Sequence, residues 1–258
     1  MFSPDALVAF LTLTFLEIVL GIDNIIFISI LSNRFPKEKQ KKLIRFGLFL
    51  AMFMRIAMLA GINGLIQMKT TFLEVQNDWF SSQISMQALI LLGGGLFLLY
   101  KSTHEIFQKV ESKEDSQTAP KEGGMTFVRA VFQIVLIDMV FSFDSILTAV
   151  GMTNGIPNAL PIMIAAVVVS IVIMMGFATP VSRYMNRHPS MQILGLSFLL
   201  LIGFMLIAEA AHLSETQVFG GSIGRIPKGY LYFSIAFSLG VEMLNMRFKK
   251  RKSLKNQV

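Results

Sequence analysis

The sequence predicts an all-α membrane protein of about seven transmembrane helices, arranged as two inverted three-helix repeats plus a C-terminal helix. Three observations predict it: long unbroken apolar runs, basic residues confined to short connectors, and an acidic motif that occurs twice. Hydrophobic residues make up 53% of the 258 positions and charged residues only 15%, where a soluble domain carries roughly 25% charged. Mean hydropathy is +0.62.

A helix needs about 20 apolar residues to cross the hydrocarbon core. Such runs lie near 5–32, 42–66, 86–106, 125–151, 159–180, 190–212 and 230–247. They lack the alternation of barrel strands. The first run carries Glu17 and Asp23 and has neither a basic start nor a small-residue cleavage site, so it reads as a retained span. The net charge of +7 does not point to nucleic acid. Its cations cluster in connectors (Arg34, Lys37, Lys39, Lys41 and Lys42) and in the tail (Arg247, Lys249, Lys250, Arg251 and Lys252), the pattern that sets membrane topology. With Arg183 and Arg187 in the 181–188 connector, it predicts an N-terminus outside and a C-terminus in the cytoplasm. The 107–124 segment then reads as a cytoplasmic loop. The 67–85 connector, with Phe72, Trp79 and Phe80, is expected along the interface, where aromatic rings are favoured. The whole chain reads as one polytopic membrane unit.

The repeat is visible in the motifs. Glu17-Ile-Val-Leu-Gly-Ile-Asp23-Asn24-Ile25 in span 1 matches Asp138-Met-Val-Phe-Ser-Phe-Asp144-Ser145-Ile146 in span 4. Arg55 to Gly61 in span 2 lines up with Ser170 to Gly176 in span 5. Gly95 to Lys101 with His104 lines up with Gly203 to Glu209 with His212. Repeat 1 thus covers about 5–106 and repeat 2 about 125–212. Three spans per unit force opposite orientations, as in many secondary transporters.

A carboxylate at mid-span costs roughly 2.5–3.5 kcal/mol on insertion scales, so Glu17, Asp23, Asp138 and Asp144 are functional candidates by default. A spacing of six residues corresponds to about 9 Å of rise and about 240° of rotation. The two acids of one motif therefore cannot chelate one ion from an unbroken helix. Either the helix opens near Gly21 and its equivalent Ser142, or the acids serve different depths. Depth favours Glu17 paired with Asp138 near the midplane, with Asp23 toward the cytoplasm and Asp144 toward the outside. Asn24 and Ser145 add neutral oxygens. Such donors suit Mn²⁺, Mg²⁺ or Ca²⁺, and no cysteine is present for a thiolate site. Proton release on metal binding makes proton antiport a natural coupling. The bland alternative is that the acids partner the basic residues Arg55, Lys101 and Arg183. Arg55, Lys101, His104, Glu209 and His212 are candidates for gating or proton coupling, with interfacial placement as the competing account of the last four. The 17 methionines read as packing residues.

At these motifs the chain resembles the TerC family of bacterial membrane proteins. The matching elements are Glu17-x5-Asp23-Asn24, Asp138-x2-Phe141-Ser142-x-Asp144-Ser145, and Gly93 to Lys101 with Glu105-Ile106. Ile226-Pro-Lys-Gly-Tyr-x-Tyr232 and Val241-Glu242-x-Leu-Asn245 match as well. The resemblance implies a fold related to the lysine-exporter superfamily, a bacterial inner-membrane location, a link to tellurium resistance, and Mn²⁺ efflux through the two acidic motifs. It implies no prosthetic group and no nucleotide-sensing module. Metal ion and lipid bilayer are the expected partners, and homo-oligomerisation stays open. Two other functions compete with transport. An intramembrane acid-dyad hydrolase would need two carboxylates within a few ångströms, and no zinc-protease or nucleophile-elbow motif is present. A membrane-protein assembly factor would not need acids at the bundle centre. The expectation is transport, not catalysis.

Overall fold

A computed structural model of the chain describes residues 4–62, 64, 68–77, 79–111, 126–153, 155–157 and 159–255, with backbone alone for 22, 23, 144 and 249–255. Its main helices are α1 (Pro4–Leu20), α2 (Ile22–Ser32), α3 (Lys37–Ala60), α4 (Met86–Glu111), α5 (Phe127–Met152), α6 (Ala159–Arg187), α7 (Pro189–Leu213) and α8 (Lys228–Lys255). Among the described residues, six helical stretches are long and apolar enough to cross a membrane: α1 with α2 as one span, then α3 to α7. Large apolar side chains such as Phe15, Phe53, Phe132 and Phe204 stay exposed on their outer faces, where lipid takes the place of water. The chain is an all-α, multi-pass membrane protein.

Helix α8 does not reach the apolarity of the other six. Its apolar stretch ends near Val241, and Glu242, Asn245 and a basic tail follow within the same helix. Helix α6 also differs from its predicted bounds. It runs through Pro180 to Arg187. A proline removes one backbone hydrogen bond, a loss that membrane helices tolerate when neighbours satisfy the freed group.

The helix pairings obey the repeat. Helix α1 packs on α6, and α3 packs on α5; exchanging the repeats turns one of these pairs into the other. The most extensive packing is α4 on α7, a pair that maps onto itself. Its centre is a close crossing at two equivalent glycines. A Cβ on Gly95 would lie 2.7 Å from the Gly203 carbonyl oxygen and 3.1 Å from Ile207 N. A Cβ on Gly203 would lie 3.0 Å from the Gly95 carbonyl oxygen and 3.1 Å from Leu99 N. The backbone contacts are reciprocal, each glycine meeting the other's carbonyl and the amide nitrogen four residues beyond it, the pattern of a local two-fold axis between these glycines. Small residues are what allow helix backbones to approach so closely in a bilayer.

Among its described residues, the 67–85 connector is not irregular chain. It forms strands β1 (Thr71–Asn77) and β2 (Phe80–Ser85), paired antiparallel. Strand β2 then pairs with β3 (Gln217–Val218) and β3 with β4 (Gly221–Ser222), in the order β1-β2-β3-β4. The sheet ties the connector after α3 to the one after α7. Backbone groups that would have needed water or headgroups are satisfied by strand pairing. Phe72 and Trp79 remain exposed, and Trp79 packs beside Phe219 with centroids 6.2 Å apart.

Candidate functional site

Helices α1, α2, α3 and α5 bring four polar side chains into the apolar interior. Glu17, Asn24 and Arg55 are each 3% exposed and Asp138 is 4% exposed. Arg55 lies between the acids. Its Nε donates to Asp138 Oδ2 at 3.0 Å and its Nη2 to Asp138 Oδ1 at 2.6 Å, a bidentate pair. Its Nη1 donates to Glu17 Oε2. Asn24 Nδ2 donates to Asp138 Oδ1 at 2.7 Å. Ser142 Oγ reaches Asp138 twice, at the main-chain oxygen (2.6 Å) and at Oδ2 (3.3 Å). Asn24 Oδ1 is shielded and has no partner among the described residues.

Helix geometry explains the convergence. Glu17 and Asn24 are seven residues apart, about 10.5 Å of rise and nearly two full turns, so they share one face of span 1. The Arg55 guanidinium and the Asp138 carboxylate fill the gap between them. Asp138 and Ser145 have the same spacing on α5. Ser145 is buried, but its Oγ donates to the Ser142 carbonyl oxygen at 3.1 Å. An ion pair desolvated this fully is favourable only with good geometry and further hydrogen bonds. Asp138 has both.

Gly21 marks a shallow interruption and not an unwound segment. Its φ of −83° and ψ of −8° are helical, its N–H donates to the Glu17 carbonyl at 2.9 Å, and its own carbonyl accepts from Ile25 N at 3.1 Å. The glycine makes room for a neighbour: a Cβ there would lie 2.0 Å from Met174 Sδ on α6, so that flexible side chain would have to move. Ser142 does not break α5, which is continuous from Phe127 to Met152.

The predicted ligands Asp23 and Asp144 lie in α2 and α5, and their side chains are outside the described residues. The remaining candidates sit away from the cluster. Lys101 Nζ lies 3.3 Å from Glu105 Oε1 one turn on, and Arg34 pairs with the same oxygen. His104 stacks on Tyr100 and contacts Gln108 at 2.9 Å. Glu209 pairs with Arg225 at 3.2 Å. His212 is exposed in the last turn of α7. Arg183 lines a cavity at the end of the bundle where α3 begins. Among the described residues, no three histidine or carboxylate side chains form a ready-made metal cage. Glu17 and Asp138 are both held by Arg55, each on its own guanidinium nitrogens. The motif pattern pointed to the acids and underplayed Arg55 and Ser142. The stripe that Glu17 forms with Asn24 was the available signal.

Comparison with known proteins agrees with this architecture. A family model described as the integral membrane protein TerC family matches residues 2–257. The UPF0053 inner membrane protein YgdQ of Escherichia coli (strain K12) is 41% identical over 252 residues, covering 98% of this chain and 97% of the relative. A UPF0053 protein of Haemophilus influenzae is 39% identical over 248 residues, 96% of each chain. The longer UPF0053 inner membrane protein YoaE of Escherichia coli (strain K12) is 39% identical over 255 residues, which cover 99% of this chain and 45% of YoaE. No solved structure matches. With a family model matching from end to end and relatives near 40% identity, the chain belongs to the TerC family of integral membrane proteins.

Proposed function

We propose that this chain exports a divalent metal ion, Mn²⁺ first among the hard cations, across the bacterial inner membrane in exchange for protons. One observation supports the reading above others: carboxylates from equivalent positions of two repeats meet on a single positive charge inside the bundle, beside an unpartnered amide oxygen. Carboxylate and amide oxygens are the donor set of hard divalent ions. Arg55 acts as a tethered cation on the oxygens that cargo would use, and it withdraws when metal enters.

Charge arithmetic supports exchange. Two carboxylates are balanced by one divalent ion with the guanidinium withdrawn, or by the guanidinium plus one proton. Metal loading therefore expels a proton, the usual linkage between metal and carboxylate. Asp23 and Asp144 serve the two sides of the path. The basic connectors favour an N-terminus outside and a C-terminus in the cytoplasm.

The test is Mn²⁺ flux in proteoliposomes under a pH gradient, with an internal pH dye read in parallel. Glu17→Gln, Asp138→Asn, Asp23→Asn and Asp144→Asn should each lower flux by about tenfold or more, in protein that still elutes as one species. Wild-type flux in all four variants would sink the carboxylate mechanism. Mn²⁺ movement with no accompanying proton signal would remove the antiport component alone.

A further inference from the structure

The bundle end opposite the β-sheet holds a cavity of about 770 Å³. It lies between the end of α2, the start of α3 and α7, and the last turns of α4 and α6. Six basic side chains line it (Arg34, Lys37, Lys41, Lys109, Arg183 and Arg187) against one carboxylate, Glu105. That carboxylate is already shared by Arg34 and Lys101, and Lys109 donates to Gln192 Oε1. Lys37, Lys41, Arg183 and Arg187 form no ion pair or hydrogen bond with a described residue.

Topology alone asks only that cations lie on the cytoplasmic face; it does not ask that they surround one cavity. Like charges gathered around a common space repel, and the repulsion is relieved by an anion among them. One further feature bears on the charge around the cavity. Helix α3 begins there behind Pro36 with no side-chain cap; its Lys39 and Gln40 N–H groups bond the Pro36 carbonyl and Glu38 sits in its first turn, so its positive end adds less to the site than the six cations do. Arg183 and Arg187 are four residues apart on α6 and so share a face, and guanidinium forks match phosphate oxygens two at a time.

We propose that this cavity binds a phosphate-bearing anion, the chemistry presented by an anionic phospholipid headgroup or a free phosphate compound. Helix ends lie at headgroup depth, where basic pockets between spans take anionic lipids. The inference goes beyond the transport reading and does not depend on its cargo. Its consequence for a cation pathway is direct: an occupied cavity no longer repels a divalent ion arriving from this side.

The experiment uses the full chain purified in detergent and titrated separately with phosphatidylglycerol, phosphatidylcholine and inorganic phosphate. Native mass spectrometry reads lipid retention, and thermal unfolding reads the phosphate response. Phosphatidylglycerol should be retained about tenfold or more over phosphatidylcholine, and the preference should fall away in Arg183→Gln/Arg187→Gln and in Lys37→Gln/Lys41→Gln. Lys69→Gln, at the other end of the bundle, should keep it. A stabilisation by inorganic phosphate that the same double variants lose would assign the site to a free anion. Equal retention of both lipids with no phosphate response overturns the proposal. So does an undiminished anion response in both double variants.

Discussion

The two repeats place equivalent helices in equivalent pairings, yet they carry different charges at matched positions. Repeat 1 has Arg55 where repeat 2 has Ser170, and Lys101 where repeat 2 has Glu209. The motif acids, Glu17 with Asp138 and Asp23 with Asp144, match in both place and charge. The backbone symmetry is held by packing, as the reciprocal Gly95 and Gly203 contacts show. Charge is free to differ because it decides what each side of the membrane meets. Ser170 turns its Oγ back to the Val167 carbonyl at 2.9 Å and takes no part in the acid cluster. Repeat 2 therefore offers no second buried cation there, and one guanidinium serves both acids.

The strongest way to break this comparison is to make repeat 1 like repeat 2. Arg55→Ser leaves Glu17 and Asp138 desolvated without their cation. Removing one partner of a buried ionic network costs about 3–5 kcal/mol, so the unfolding transition in detergent should fall sharply. Combining Arg55→Met with Glu17→Gln and Asp138→Asn should recover most of that loss, because no uncompensated charge is left buried. A single Arg55→Ser variant as stable as wild type would mean that the cluster is not ionised as a unit.

A smaller effect tests the symmetry itself. Gly95→Val and Gly203→Val each push a side chain into the partner's backbone at the α4–α7 crossing. Overpacking of this kind costs about 1–3 kcal/mol. The two losses should be similar, and the double variant should lose less than their sum because both substitutions wedge open one contact. A silent Gly203→Val beside a damaging Gly95→Val would place the axis elsewhere.

These contrasts also explain what could be read from residues alone. Spans were legible because continuous apolar runs of 20 or more residues have few alternatives. The repeat was legible because carboxylates in such runs are rare enough for a second copy to stand out. The β-sheet was not. Strand β1 reads Thr-Phe-Leu-Glu-Val-Gln-Asn, and its aromatic neighbours suit an interface equally well. Strands β3 and β4, which extend the sheet from β2, are two residues each, too short for any period to register. The end of the seventh apolar run was not legible, because helix α8 carries on without a break from its apolar first half into a polar, basic second half. In the site, residue types marked the acids, but which basic residue met them depended on helix rotation, which composition does not fix. Arg55, Lys101 and Arg183 were equal candidates until packing placed Arg55 in the cluster, Lys101 on Glu105 and Arg183 on the basic cavity.

The weakest contrast is the charge inversion between Lys101 and Glu209. Glu209, 14% exposed, pairs with Arg225, 49% exposed, and an ion pair with its cation half in solvent is worth about 1 kcal/mol and is screened by salt. Glu209→Gln should therefore leave the unfolding midpoint nearly unchanged, most of all at high ionic strength. The informative readout is flux. If Glu209→Gln slows Mn²⁺ movement while stability holds, the acid acts on an ion at the end of the path and not on the fold. A stability loss as large as that of Arg55→Ser would instead make Glu209 a structural counterpart of the buried cluster, and the two ends of the bundle would differ less than their charges suggest.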